Sequence, residues 1–303
     1  MASPRPPHVG YVVGMSLATL HHLGPAGTFS EDAARAFGGD TRPQPTFDAV
    51  AAAVAAGEGD GVLPYYNLLE GLVQESIDAV FERGLRVVDA ARLPITFALG
   101  RGGPPPGDGT DAPDGTEVIS HPKALAQCSD HLDHHYPALR RRPAASTAEG
   151  AALAARSGQY AIAKPDALRD AGLRVIADDV GNRSGGGTGR ANFTDFLRVS
   201  LAGDPSGGGD PRTLVAVSPR ENRPGLLADV LREFAFYRLD LAKIHSRPAL
   251  GVGGTGGGAE PQMFYMEVMA AHDADPLRRC LDALGWHLGD ACVRDVGGWS
   301  GLR

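Results

Sequence analysis

Cysteine is nearly absent from this 303-residue chain, which has only Cys128, Cys280 and Cys292. Three scattered thiols are too few for a disulfide framework or a cysteine metal site, and they suit a reducing, cytoplasmic setting. Tryptophan is scarce, with 2 residues, and no apolar run approaches the ~18 residues of a membrane-spanning helix. A basic excess is missing as well: 29 Lys and Arg stand against 36 Asp and Glu, for a formal charge of −7. Without a basic stripe to release counterions, a nucleic acid is excluded as partner. The opening MASPRPPHVGYVVGMSLATL carries a modest apolar patch but one early cation, Arg5, and no clear small-residue cleavage site. Residues 1–19 therefore read as a leader and not as a signal peptide.

What is present is a globular composition, 43% hydrophobic and 21% charged, with 41 Gly and 23 Pro gathered in loop-like segments. The length predicts two domains. Through the first two hundred residues short apolar strands alternate with helical patterns, which predicts α/β architecture. Leu17–Leu23 reads as a strand and Thr28–Phe37 as a helix; Phe47–Ala56 and Glu70–Glu82 read as helices, and Leu85–Val88 and Leu93–Leu99 as strands. Arg101–Gly115 is a Pro/Gly connection, and a second α/β unit runs from about Val118 to Ala177 before Asn192–Ser200 returns to the first. Two lobes, 20–100 with 190–201 and 116–189, place a ligand cleft at their interface. Residues 202–211, AGDPSGGGDP, read as a linker, followed by a βαββαβ series over 212–297 with a Gly-rich hairpin loop at Gly251–Gly258.

Between the first strand and helix, LGPAGTFS (Leu23–Ser30) sets Gly24 and Gly27 where the backbone turns and Thr28 and Ser30 where hydroxyls cap a helix, an arrangement that favours an anion. His131, His134 and His135 lack a third-ligand motif and read as a solvated helix face, so no metal is expected. His121 precedes Pro122, which forces extended backbone; it is a possible proton donor or a structural hydrogen-bonding group.

Read in order, LGPAGTFS, LPYYNLLEGLVQESID (Leu63–Asp78), SHPKALAQC (Ser120–Cys128), STAEGAA (Ser146–Ala152) and NFTDF (Asn192–Phe196) resemble the prephenate dehydratase family. Asn222–Pro248 resembles the ACT domain that follows the catalytic domain in many members, so the likeness runs from about residue 20 to about 296. It implies a bilobal, periplasmic-binding-protein-like α/β catalytic domain followed by an ACT domain, prephenate as substrate, no cofactor, a homodimer or homotetramer, and an aromatic amino acid as possible effector. The segments lining the site in such enzymes here contain Thr28, Ser30, Asn67, Ser120, His121, Lys123 and Thr147, residue types that equally serve as caps and turns. Arg223, Gly225, Ser246 and Arg247 match the regulatory motifs, although His245 stands where the family has glutamate.

The departures are specific. The family reads Pro, aliphatic, Glu, Asn, Ser, then Glu-Gly two positions on; here Pro64, Asn67, Glu70 and Gly71 remain, while Tyr66 and Leu68 replace the first glutamate and the serine. The closing Thr-Arg-Phe becomes Thr194, Asp195, Phe196, and Lys123 and Lys164 stand where neutral residues are usual. Such a charge reversal is not conservative. Dehydration must protonate the leaving C4 hydroxyl, whereas decarboxylation without aromatisation must retain it. Asp195 as acceptor from that hydroxyl, with Thr194 and Asn67 positioning the substrate, Tyr65, Tyr66 or His121 as proton donor, and Lys123 and Lys164 as carboxylate-binding cations, leads to non-aromatising prephenate decarboxylation as the first expectation. Dehydration to phenylpyruvate is the alternative, and an inactive amino-acid sensor is the third reading.

Overall fold

Strand β1 (Thr19–Leu23) buries His21 and His22 as well as Leu20, and pairs in parallel with both β2 (Asp40–Gln44) and β3 (Asp60–Asn67). In this computed structural model the described residues are 18–103, 116–182, 191–203, 205, 209–219, 223–249, 262–288 and 293–302. Helices α1 (Phe29–Ala36) and α2 (Phe47–Ala55) start where Thr28 and Thr46 accept the backbone N–H of Glu31 and Ala49, which satisfies otherwise orphaned donors. The helix expected from Glu70 begins later, as α3 (Gln74–Glu82). Gly71 and Leu72 form a short strand β4 (Gly71–Leu72) that folds back on β3 at Tyr66 and Asn67.

The chain leaves this sheet after β5 (Arg86–Pro94) and builds a second one from β6 (Ala98–Arg101), β7 (Glu117–Ser120), β8 (Arg140–Pro143), β9 (Tyr160–Ala163) and β10 (Arg174–Ala177), ordered β10-β6-β9-β7-β8. Helices α4 (Pro122–Gln127), α5 (Ser129–His135), α6 (Thr147–Ser157) and α7 (Pro165–Asp170) accompany it. The expected strand Leu93–Leu99 is thus split between the lobes, and the crossover lies near residue 95, not 100. The return strand β11 (Phe193–Ser200) runs antiparallel between β3 and β5, as the two-lobe reading requires. DTRPQ and RRRP, the sequences of β2 and β8, carry no apolar alternation and were not expected as strands. Both lie at sheet edges, where proline and charge are tolerated.

The C-terminal unit has the βαββαβ order expected of an ACT domain: β12 (Pro211–Val217), α8 (Leu226–Phe236), β13 (Leu241–Pro248), β14 (Gln262–Val268), α9 (Asp275–Leu288) and β15 (Val293–Ser300). Its sheet is apolar on both faces. Val215, Val217, Phe264 and Met266 pack under α8 and α9, while Leu214, Ala216, Met263, Tyr265 and Trp299 join the core of the first lobe around Tyr65, Ile77 and Val80. At ~1.5–3 kcal/mol for each large apolar side chain removed from water, this second face docks the unit firmly. β15 also meets β5 at Gly297 and Val87, making one ten-stranded sheet through both units. Gly297 has φ +96°, and a Cβ there would lie 2.3 Å from the Val87 carbonyl oxygen, so only glycine permits the junction. Residues 1–17 of the expected leader, most of the Arg101–Gly115 connection, part of the 202–211 linker and the Gly251–Gly258 hairpin loop lie outside the described residues, whereas Thr19 already opens β1 and Pro211 already opens β12.

Candidate active site

A cavity of about 310 Å³ opens between the two lobes. The first lobe contributes Thr28, Ser30, Phe47, Pro64, Asn67, Glu70, Thr194 and Phe196, and the second contributes His121, Lys123, Gln127, Ser146 and Thr147. Apolar walls with a few converging polar groups are the usual make-up of a small-ligand site.

At its floor Asn67 Nδ2 donates to Thr194 Oγ1 at 2.9 Å and to the Phe193 carbonyl at 3.1 Å. Asn67 Oδ1 accepts the backbone N–H of Leu69 and Glu70 at 3.0 and 3.1 Å, which fixes the orientation of the amide. Because Asn67 donates, the threonine oxygen is the acceptor in this contact and its own O–H proton stays available for the cleft. Asn67 and Thr194 are 6% and 7% exposed, so this polarity is set in a poorly solvated place where hydrogen bonds are strong.

Both residues face the cleft because β3 is not a regular strand. Thr194 lies opposite Asn67 and Asp195 opposite Tyr66, but Phe196 lies opposite Pro64, which leaves Tyr65 as the extra residue of a β-bulge. Pro64 and Asn67, three apart, would face opposite sides of a regular strand. The bulge brings both into the cleft and turns Tyr65 and Tyr66 to the other side of the sheet.

The loop before α1 is more self-contained than its sequence implied. The Gly27 N–H donates to Glu31 Oε2 at 2.6 Å, and Thr28 Oγ1 donates to the Leu23 carbonyl at 3.2 Å. Burial would raise the Glu31 carboxyl, but the Gly27 N–H and the Arg35 guanidinium outweigh it and hold the pKa below the ordinary value. Across the cleft, His121 Nδ1 accepts the Lys123 N–H at 3.2 Å, so Nε2 carries the proton of the neutral ring. Burial, with the Lys123 charge beside it, lowers the His121 pKa; Glu70 opposes this only in part. His121 therefore enters the cleft at neutral pH as a neutral donor.

Lys123 Nζ reaches Glu70 Oε2 at 2.9 Å and Gln127 Nε2 reaches Glu70 Oε1 at 2.6 Å, tying the lobes together across the cleft mouth. Gln127 Oε1 in turn accepts from Asn192 Nδ2 at 3.3 Å. Sequence reasoning missed Gln127. Its position one turn after Lys123, on the same helix face, was the available indication.

Five expected site residues lie elsewhere. Asp195 alternates with Thr194 and Phe196 along β11 and faces away from the cleft, where its carboxylate receives the Arg92 guanidinium at 2.7 and 3.0 Å. Tyr65 and Tyr66 face the same way, with Lys243 Nζ 5.3 and 4.8 Å from their ring centroids. Ser120 is fully buried and donates to the Ile162 carbonyl at 2.5 Å, a tie between β7 and β9. Lys164 binds Asp32 at 2.5 Å and the Thr28 carbonyl at 3.4 Å outside the cleft, a second bridge between lobes. In the C-terminal unit Gly225 supplies the φ +82° cap of α8, Arg223 pairs with Asp229 at 2.5 Å and Ser246 is exposed. Arg247 instead points into the domain interface and pairs with Asp78 of α3. Among the described residues no group of three or more His, Cys, Asp or Glu is placed to hold a metal ion.

Comparison with known proteins agrees with this architecture. The prephenate dehydratase family model matches residues 20–202. A prephenate dehydratase of Amycolatopsis methanolica is 32% identical over 241 residues, 77% of this chain and 74% of that protein. The crystal structure of the Arthrobacter aurescens prephenate dehydratase in complex with L-Phe superposes with a TM-score of 0.77 at 28% identity, covering 93% of this chain and 90% of that one. A quorum-quenching acylase, GqqA, shares the fold at a TM-score of 0.74 and 25% identity, covering 93% and 98%. With its bilobal cleft, retained threonine and asparagine, and a family match across the whole catalytic unit, this chain belongs to the prephenate dehydratase family.

Proposed function

We propose that the chain is a lyase acting on prephenate, and that it catalyses dehydration with decarboxylation to phenylpyruvate. The observation that carries this reading is the Asn67 to Thr194 hydrogen bond at 2.9 Å in the cleft floor. It leaves the threonine proton free to donate to a leaving hydroxyl. In the reaction the carbon–carboxylate bond breaks to release carbon dioxide, its electron pair enters the ring, and the C4–oxygen bond breaks as hydroxide takes a proton and departs as water. No oxidant or reductant enters the balance. A donor aimed at the leaving oxygen is typically worth ~2.7–4 kcal/mol of transition-state stabilisation. Ser30 on one lobe and His121 and Lys123 on the other are the donors proposed for the two carboxylates and the oxo group, while the Thr28 hydroxyl proton is held by the Leu23 carbonyl.

Non-aromatising decarboxylation rested on Asp195 meeting the C4 hydroxyl and on a proton from Tyr65, Tyr66 or His121; of these His121 lines the cleft. With Asp195 and both tyrosines on the far face of the sheet, dehydration takes precedence. One observation still favours decarboxylation: Leu68 stands at the cleft loop where the family carries serine, which removes a hydroxyl donor. Incubation of purified protein with prephenate at pH 8, followed by NMR and mass analysis of the oxo acid, decides between them. Phenylpyruvate supports dehydration; a product that has lost carbon dioxide but keeps the ring alcohol supports decarboxylation. Prephenate binding without turnover would favour the sensor reading.

Homo-oligomerisation through the C-terminal unit is proposed on β13, which ends the ten-stranded sheet as an edge strand with Ile244 45% exposed. Sedimentation of the full chain tests it, and a monomer at micromolar concentration would refute it.

A further inference from the structure

We propose that Tyr65 and Glu267 are positioning residues for the Asn67–Thr194 pair: the C-terminal unit pins the β-bulge that turns Asn67 into the cleft. The inference rests on the activity proposed above for its kinetic readout, and on the bulge geometry alone for its structural one.

Strand register has a period of two, so a bulge that relaxed by one residue would turn Asn67 from the cleft to the opposite face. Something must hold the extra residue in place. Tyr65 is 2% exposed, and its ring packs edge-on against Trp299 of β15 with centroids 6.0 Å apart. Its hydroxyl donates to Glu267 Oε2 of β14 at 3.2 Å. Glu267 is itself fixed by Lys243 of β13 and by Arg212 of β12 at 3.4 Å, and Lys243 Nζ lies 5.3 Å from the centre of the Tyr65 ring. All of these groups come from the C-terminal unit. None touches the cleft, yet together they grip Tyr65, the residue skipped within the β3–β11 ladder. Burial, followed by the neighbouring Glu267 carboxylate, pushes the Tyr65 phenol well above its ordinary pKa, so it remains a donor throughout the working pH range. An apolar residue at position 65 could fill the space but could not make the hydrogen bond.

The test uses the full chain with Tyr65→Phe, Glu267→Ala and Glu267→Gln, and Asp295→Asn as the comparison. Asp295 meets Arg86 at 3.5 Å across the same domain junction without touching β3. Steady-state kinetics with prephenate should show kcat at least tenfold lower for Tyr65→Phe and Glu267→Ala, with KM within about twofold. That split marks a misplaced transition-state donor rather than lost substrate binding. Glu267→Gln, whose amide oxygen still accepts from Tyr65, should recover most of the loss, and Asp295→Asn should match wild type. Amide hydrogen exchange reads the same point without turnover: the Leu69 and Glu70 N–H groups, held by Asn67 Oδ1, should lose protection in the first two variants only. Unchanged exchange and kcat within twofold in Glu267→Ala would overturn the proposal, as would equal effects in Asp295→Asn. If wild type fails to turn over prephenate the assigned activity falls, and the exchange measurement alone then decides the positioning role. Should Tyr65→Phe fail to fold, the two Glu267 variants carry the test.

Discussion

The Asp195 carboxylate and the Arg92 guanidinium face each other from neighbouring strands at 2.7 and 3.0 Å, on the side of the sheet opposite Thr194. Where the family motif carries arginine on β11, this chain carries aspartate, and the arginine is supplied by β5. The charge reversal that suggested altered chemistry is accommodated as a cross-strand ion pair behind the cleft, with Asp195 nearly buried and Arg92 half-exposed over the Phe193 ring.

Asp195→Asn should accordingly change stability and not the product. Removal of a buried partner from a charge-assisted bidentate pair costs about 2 kcal/mol. Urea unfolding should show the loss, while the oxo acid formed from prephenate should be that of wild type. A changed product would return Asp195 to the chemistry.

Thr194→Val keeps the shape of the side chain and removes the proton that Asn67 leaves free. We expect kcat to fall by about 100–1,000-fold, the typical cost of a lost donor to a developing oxyanion. Thr194→Ser should retain most activity. A valine variant with near-normal kcat would require another donor for the leaving oxygen.

Lys123 is mostly exposed and shares Glu70 with Gln127, so under the proposed function a substrate carboxylate would compete with Glu70 for it. An exposed pair of this kind is worth up to ~1 kcal/mol, so Lys123→Met should raise KM about fivefold at low salt. The difference should fade at about 1 M salt, where the screening length is about 3 Å. Salt-independent KM ratios would argue against a charge contact.

His22 gives the fold a pH dependence of defined sign. Its Nδ1–H donates to the Leu23 carbonyl at 3.1 Å, Nε2 is buried without a hydrogen bond, and burial lowers its pKa below the ordinary value. A depressed folded pKa means the unfolded chain binds the proton more readily. The stabilisation is therefore fully present above the unfolded pKa of about 6.5 and is lost as pH falls through the lower folded value. His121 and His131 are lowered in the same direction. Urea midpoints measured at pH 7.5, 6.0 and 5.0 should decline with acidity, and His22→Gln should flatten the decline. An unchanged slope in that variant would remove His22 from the account.

Arg247, matched to the regulatory motif, is 5% exposed and committed to Asp78 of α3, which also accepts from the Tyr265 hydroxyl at 3.2 Å. Arg247→Ala should destabilise the chain by about 3 kcal/mol through the buried charge it abandons. With this arginine engaged and His245 in place of the motif's glutamate, calorimetric titration with L-phenylalanine should show no micromolar binding. A micromolar isotherm would overturn that expectation.

Much of this molecule is written locally. Thr28, Thr46 and Ser146 announce helix starts because a hydroxyl one step before a helix satisfies its free N–H groups in any context. The alternation of strands and helices, the returning strand at Asn192–Ser200 and the βαββαβ order of the C-terminal unit follow from apolar patterning of the same short range. The motifs that carried the family resemblance brought Thr28, Ser30, Asn67, His121, Lys123, Thr147, Thr194 and Phe196 to one cleft. The edge strands β2 and β8 escaped notice because solvent, not a core, receives their side chains.

The sequence by itself determined the family, the order of the core elements and the identity of the cleft floor, since each depends on neighbours along the chain. Only the tertiary structure decided which side of the sheet Tyr66 and Asp195 face, that Lys164 serves Asp32, and that Arg247 serves Asp78. Facing depends on register, and register in β3 turns on a single extra residue, Tyr65, held by contacts from a unit some two hundred positions away in the chain. A one-residue shift reverses every side chain that follows it, and no local pattern of residues encodes that shift.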